Sequence, residues 1–244
     1  MTLYLIGLGL ADPEDITVKG LTTLKSCDHV YLETYTSLLQ AEIPKLEKFY
    51  GKKLHPADRE LIEKRAHEVL NQARTGSVAL LVVGDPMCAT THIDLVLRAK
   101  EKGVQVRIIH NASIVSAIGA LGLEIYKYGK ITSIPFHHAN VSTPVEVYKM
   151  NHSIGLHTLF LLDLDPKNGN YLEVSEAADY LCSKGIDAKT LAVGCARIGA
   201  SDQKIHVAEL GKLKEFSYGK PPFCIVIPGK LHFMEEEALE LWNK

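Results

Sequence analysis

The chain has 244 residues, 46% of them hydrophobic and 23% charged, which supplies enough apolar material to bury a core without disulfide or metal staples. Its formal net charge is −2 and no concentrated basic patch stands out, which argues against a partner made of nucleic acid. No apolar run approaches the roughly 18 to 20 residues that cross a bilayer, so no membrane association is expected.

The N-terminal segment Met1-Thr2-Leu3-Tyr4-Leu5-Ile6-Gly7 lacks the basic start and cleavage site of a signal peptide. It reads as a strand, Thr2 to Leu8. After Asp12-Pro13 breaks the chain, Val18, Leu21 and Leu24 fall at helical spacing and predict a helix over Thr17 to Ser26. A short strand follows at His29 to Glu33, then helices over Leu38 to Tyr50 and Arg59 to Ala73. Ser77 to Val83 is a continuous apolar run, the pattern of a strand covered on both faces. It stops at Gly84-Asp85-Pro86. A helix over Ile93 to Lys102, a strand over Val104 to Ile109 and a helix over Ser113 to Leu121 complete a repeated design of buried strand, polar loop and helix.

From Lys127 to Ser153 the pattern loosens into an apparent connector. Strands are expected again at Thr158 to Leu162, Thr190 to Ala196, Lys204 to Val207 and Phe223 to Ile227. Helices are expected at Val174 to Ser183 and Met234 to Trp242. The fold class is therefore α/β. The boundary belongs near residues 127 to 155, giving an N-terminal domain with a parallel sheet over 1–130 and a C-terminal domain with a mixed sheet over 131–244. The five cysteines, Cys27, Cys88, Cys182, Cys195 and Cys224, are scattered and never spaced Cys-x-x-Cys. That spacing points to a reducing, cytoplasmic setting, with each thiol a small buried hydrophobe.

Three loops at strand ends carry the residues with chemical promise. Gly7-Leu8-Gly9-Leu10 follows the first strand, where missing side chains admit close backbone approach. A dinucleotide site wants a third glycine at position 12, and Asp12-Pro13 stands there instead. Gly84-Asp85-Pro86-Met87-Cys88 follows the most apolar strand, at the sheet edge where ligands bind in open α/β folds. Asp85 there suits ligand hydroxyls or a cation, or else serves as a turn or cap residue. His110-Asn111-Ala112-Ser113-Ile114 is the third, with Ser113 as helix cap, ligand contact or both. Eleven histidines make chance pairs common, and none completes a set at metal-ligand spacing, so no metal is expected. Nucleophile-elbow, P-loop and kinase motifs are absent.

These loops also carry a resemblance. Leu5-Ile6-Gly7-Leu8-Gly9-Leu10, Tyr31-Leu32-Glu33-Thr34-Tyr35-Thr36-Ser37, Ala57-Asp58-Arg59-Glu60, Gly84-Asp85-Pro86 with Ala89-Thr90-Thr91-His92, and His110-Asn111-Ala112-Ser113-Ile114 resemble the diphthine synthases. Leu161-Leu162-Asp163 and Ala196-Arg197-Ile198-Gly199 with Asp202-Gln203-Lys204-Ile205 continue the likeness. These enzymes belong to the tetrapyrrole methylase superfamily. The resemblance implies two α/β domains with S-adenosylmethionine in the cleft between them, and a homodimer. It implies cofactor contacts at Leu10, Asp85, Cys88, Ser113, Ile114, Leu164, Val207 and His232. Cys88 stands where relatives carry glycine or another small or apolar residue, so the contact there falls to the backbone.

The acceptor implied by the resemblance is the amino group of a 3-amino-3-carboxypropyl histidine on elongation factor 2. Archaeal members stop after three methyls; eukaryotic members add a fourth to the carboxylate. The Asp58-Arg59-Glu60 and Ser201-Asp202-Gln203-Lys204-Ile205 stretches are similar to the eukaryotic branch, which favours four. A sulfonium methyl needs alignment and exclusion of water more than it needs a nucleophile-base pair. No catalytic residue is therefore assigned, although His92 or Asp165 could assist. The alternatives are a methyltransferase acting on a small tetrapyrrole, a non-catalytic adaptor, and a nucleotide-binding oxidoreductase.

Overall fold

The computed structural model describes residues 1–243. The chain divides into two compact units, Met1–Val115 and the remainder from Ser116 onward. In the first unit the elements run β1 (Thr2–Gly7), α1 (Val18–Ser26), β2 (His29–Glu33), α2 (Ile43–Tyr50), β3 (His55–Ala57), α3 (Ala66–Thr75), β4 (Ser77–Val82), α4 (Ile93–Glu101) and β5 (Gln105–Ile109), and the short helix α5 (Ile114–Ala117) begins in it and ends past Val115. The strands form one sheet in the order β3-β2-β4-β1-β5, with every pairing parallel.

The apolar run of β4 has a simple cause. Val78, Leu80 and Val82 pack on one face with Leu3 and Leu5 of β1, beneath Val69, Leu70 and Ala73 of α3 and Leu95 of α4. Ala79 and Leu81 pack on the other face with Ile6, against Leu24 of α1 and Leu46 and Tyr50 of α2. Strand side chains alternate between faces, so a sheet with helices on both sides needs apolar residues at every position. Burying each large aliphatic side chain contributes about 1.5–3 kcal/mol. Helix α3 meets the sheet through Ala66, Val69, Leu70 and Ala73, the 3.6-residue stripe of an amphipathic helix.

Two helices depart from expectation. The helix expected from Leu38 starts at Ile43, because Pro44 is tolerated only in the first turn. The single helix expected over Arg59 to Ala73 is divided. A π-helical turn spans Glu60–Lys64, Arg65 leaves helical geometry at φ −108° and ψ 24°, and α3 begins at Ala66. The expected strand set lacked β3, a three-residue edge strand containing Pro56, a residue with no amide proton that is confined to such edges.

The second unit contains β6 (Thr132–Ile134), α6 (Thr143–Ser153), β7 (Thr158–Leu162), β8 (Leu164–Asp165), β9 (Asn170–Tyr171), α7 (Val174–Ser183), β10 (Leu191–Ala196), β11 (Lys204–Glu209), β12 (Phe223–Ile227) and α8 (Phe233–Glu240). Its main sheet has the order β11-β10-β12-β7-β6 and is mixed, with only β6 and β7 parallel. Phe160, Val174, Leu181, Ala192, Ile225 and Ile227 lie in its core.

The stretch read as a connector thus holds a strand and a helix. Helix α6 escaped the pattern because its core-facing face includes Asn151, whose side chain bonds Lys130 N and O and Thr158 Oγ1. The unit boundary at Val115/Ser116 precedes the one expected after residue 130. Residues 116–130 are tied into the second unit: Glu124 N donates to Glu235 Oε1 at 2.9 Å, and His157 N to Lys127 O at 2.8 Å.

Candidate active site

All five strands of the first sheet run in one direction, so their carboxyl ends share one edge. The loops leaving β4, β1 and β5, three adjacent strands, are stitched together there. Gly84 N donates to Gly9 O at 2.7 Å, and Gly9 N returns a bond to Gly84 O at 3.4 Å. Both glycines have positive φ, +81° at Gly9 and +77° at Gly84, which side-chain-bearing residues seldom adopt. At Gly7 the requirement is space: a Cβ would lie 2.6 Å from Gly84 O and 2.8 Å from Asn111 Cβ. The Gly84 position lies beside the third loop, with Ser113 Cβ 3.7 Å from where a side chain would begin.

Asp85 is the keystone. Its side chain is buried. Oδ1 accepts from Met87 N at 2.8 Å, and Oδ2 accepts from Asn111 N at 3.1 Å and bonds His110 Nδ1 at 2.8 Å. Burial alone would raise the pKa of this carboxyl, but the two amides and the imidazole outweigh it and hold the acid below its ordinary value. Asp85 is therefore ionised and turned inward onto the loops. Of the two readings of Asp85, ligand contact and turn residue, these bonds show the second directly.

Two residues outside the expected site complete the stitching. Asn111 Nδ2 donates to Gly7 O at 3.0 Å and to Asp15 O at 2.9 Å. Asp15 Oδ2 accepts from Leu10 N at 3.1 Å and Ala11 N at 2.7 Å. Asn111 lies within the His110–Ile114 motif; Asp15 has no sequence signal beyond being an acid shortly after a Gly-x-Gly turn. Asp15 also bears on the dinucleotide alternative. The amides of Leu10 and Ala11 are already satisfied by a carboxylate, and a pyrophosphate there would meet its charge. An edge carrying Asp15 and Asp85 suits a cationic ligand such as a sulfonium better than a phosphate.

Beside this cluster, on the β2 side of β4, lies a second buried one. Glu33 is buried at the end of β2 and accepts from the amides of Tyr35 at 2.5 Å and Thr36 at 2.7 Å, as well as from the Thr36 hydroxyl. Burial pushes its pKa up; the hydrogen bonds and the charge of His92 oppose this without cancelling it. His92 is buried too. Its Nδ1 donates to Pro86 O at 3.1 Å, and its buried Nε2 has no hydrogen-bond partner among the described residues.

Of the residues the resemblance singled out, Leu10, Asp85, Cys88, Ser113 and Ile114 all sit in these three loops. Leu10 and Ile114 are half-buried, Ser113 is buried, and Cys88 is a partly exposed free thiol whose amide donates to Asp85 O at 3.2 Å. The second-unit residues come from three separate elements. Leu164 lies past the carboxyl end of β7. His232 caps α8 next to Glu235, which bonds His157 at the opposite end of β7. Val207 is buried mid-strand on β11, opposite Val193.

Comparison with known proteins shows the family. Residues 2–214 match the family model described as Tetrapyrrole (Corrin/Porphyrin) Methylases, and the chain belongs to that family. Within it, the chain is 42% identical to the diphthine methyl ester synthase of Homo sapiens, an alignment of 271 positions covering 99% of this chain and 95% of that protein. It is also 42% identical to the diphthine synthase of Methanocorpusculum labreanum over 245 positions, covering 98% and 97%. A crystal structure of diphthine synthase superposes with a TM-score of 0.94 at 41% identity, covering 100% of this chain and 96% of the other.

Proposed function

We propose that the protein is an S-adenosylmethionine-dependent methyltransferase of diphthamide biosynthesis, acting on the 3-amino-3-carboxypropyl histidine of elongation factor 2. The observation that carries this reading is the convergence of the β1, β4 and β5 loops around Asp85 and Asn111 in a chain so similar to diphthine synthases. When bound, S-adenosylmethionine supplies a methyl group on a sulfonium that is already a good leaving group.

The residues of this chain then have three tasks. The backbone of the Gly7–Leu10, Gly84–Cys88 and Ser113–Ile114 segments holds the donor. Asp85 keeps those segments in register. The surrounding apolar side chains limit water, leaving the acceptor amine to be aligned in line with the methyl carbon. Leu164, Val207 and His232 are further donor contacts by resemblance, each testable by its own substitution. The working enzyme in this reading is a homodimer in the cytoplasm, where its protein substrate resides.

The four-methyl product, a methyl ester, follows from the motifs around Arg59 and Asp202. One observation favours three methyls instead. The archaeal relative aligns with this 244-residue chain over 245 positions, whereas the human relative needs 271 at the same identity, so this chain has the shorter layout. Mass spectrometry of elongation factor 2 bearing the unmethylated intermediate, after incubation with enzyme and donor, tests both points. Four added methyls fit the first reading and three the second; an unmodified factor contradicts the proposed function.

A further inference from the structure

The donor cluster occupies only one side of the first sheet's carboxyl edge, the ends of β4, β1 and β5. The ends of β3 and β2 carry a different arrangement, built around Tyr35 and Arg59. Tyr35 follows β2, and its ring packs partly into the core that β4 and α3 share. One contact of the ring is edge-on to His92, at 6.5 Å between centroids. Another is to Arg59, whose guanidinium carbon lies 5.3 Å from the ring centroid. Asp58 takes over the capping of the next turn, accepting from Leu61 N at 2.9 Å, so Arg59 is left to project from the strand end.

Arg59 is only loosely engaged in an ion pair. Its side chain is 68% exposed, and its ion-pair contact among the described residues is a long one, Nε to Glu63 Oε1 at 3.8 Å. The two terminal amino groups make no hydrogen bond among the described residues. A planar guanidinium held by an aromatic face, with its outer edge open, is preorganised to grip a carboxylate through two parallel N–H···O bonds. The relay Arg59–Tyr35–His92–Pro86 connects it to the loop that carries Asp85 and Cys88.

We propose that Arg59, held by Tyr35, is the carboxylate-recognition residue for the methyl acceptor. It rests on the function proposed above, whose acceptor bears a carboxylate on the carbon that carries the amine. Anchoring the carboxylate at the β3–β2 side leaves the amine on the same carbon directed towards the β4–β1 side, where the donor loops are. Arg59 is then a specificity residue for the amine-methylating steps: it selects amino acids over simple amines and turns the amine to the methyl, and a fourth transfer, to the carboxylate itself, requires that grip to be released.

The test uses the full-length enzyme, two acceptor peptides and two variants. One peptide carries the 3-amino-3-carboxypropyl histidine and the other its carboxamide. Arg59→Gln removes the charge; Arg59→Lys keeps the charge but loses the fork. For Arg59→Gln the expected result is a KM for the acid peptide raised about ten- to a hundred-fold, the range of a lost charge-assisted hydrogen bond. S-adenosylmethionine affinity and melting temperature should stay unchanged, and Arg59→Lys should recover part of the loss. Wild type should prefer acid over carboxamide, and Arg59→Gln should barely distinguish them. An unchanged acid KM, or a fall in kcat and melting temperature with the preference intact, overturns the proposal. A wild-type enzyme that methylates neither these peptides nor elongation factor 2 carrying the same intermediate contradicts the proposed function itself and removes this inference with it.

Discussion

The side chain of Asn111 donates from Nδ2 to the carbonyl of Gly7 at 3.0 Å, and a methyl group on Gly7 would stand 2.8 Å from Asn111 Cβ. The end of β1 and the end of β5 are therefore joined by a bond that only glycine leaves room for. The same hypothetical methyl would lie 2.6 Å from Gly84 O, so the constraint extends to β4. Three strand ends share one crowded point, and the candidate donor site is built on it.

Gly7→Ala should accordingly act on the site before the fold. Overpacking of this kind costs about 1–3 kcal/mol. Spreading the three loops should also remove most donor affinity. Thermal unfolding is expected to fall by a few degrees, and calorimetric titration with S-adenosylhomocysteine to lose its signal. Unaltered affinity with a full occupancy of one site would contradict the placement of the donor.

Asp85 gives a pH prediction with a definite sign. Its carboxyl is held below the ordinary aspartate value of 3.8, so its contribution to loop order is complete above that value. The contribution is lost as the pH falls through the lower folded value. Donor affinity should then be flat from neutrality down to the ordinary carboxylate range and drop in stronger acid. Asp85→Asn, which keeps shape but not charge, should weaken the loops by about 1–3 kcal/mol at neutral pH. Titration of donor into wild type and variant across pH checks this.

How far the sequence revealed these features depended on the kind of signal. Ser77 to Val83 announced a doubly covered strand because a parallel sheet leaves no polar face, and the strand begins with that run and ends one residue before it does, at Val82. The three loops could be placed because glycine, proline and polar residues interrupt such runs. Features set by tertiary partners were hidden. Asn151 breaks the apolar stripe of α6 yet is buried and bonded to Lys130 and Thr158, so the helix looked like a connector. Asp85 could be read as a ligand contact or as a turn residue, and the sequence could not show the bonds that give it the second role, since Asn111 and His110 arrive from a loop more than twenty positions on. Arg59 read as part of one long helix, and only the π-helical turn after it sets it apart.

Glu235 provides a stability test in the second unit. This buried carboxylate accepts from Glu124 N, His232 N and His157 Nε2, each at 2.8–2.9 Å, and from Lys127 Nζ. Gly229 N donates to His157 Nδ1 at 2.9 Å, which leaves the proton on Nε2. Burial would raise the Glu235 pKa, but these donors pull it from 4.5 down to about 2. The latch is thus fully formed above the ordinary glutamate value and releases as the pH falls from there towards about 2. Glu235→Ala strands Lys127 and His157 and should cost about 3–5 kcal/mol, as for a broken buried ion pair. Denaturant unfolding at neutral pH and at pH near 3, comparing wild type with the variant, should reveal a difference that narrows in acid.

Leu80 tests the sheet core independently of any ligand. It is fully buried on the face shared with α3 and α4. Leu80→Ala should destabilise by about 2–5 kcal/mol while the folded fraction still binds donor with unchanged affinity. Equilibrium unfolding together with calorimetry separates the two quantities.

Hydrogen exchange with and without S-adenosylhomocysteine, resolved to peptides, addresses the account most directly. Slowed exchange in the first unit should concentrate in residues 8–15, 84–92 and 110–114, with NAD producing no comparable pattern. Protection that leaves these three stretches untouched, or that appears equally with NAD, would contradict a methyl donor held at the ends of β1, β4 and β5.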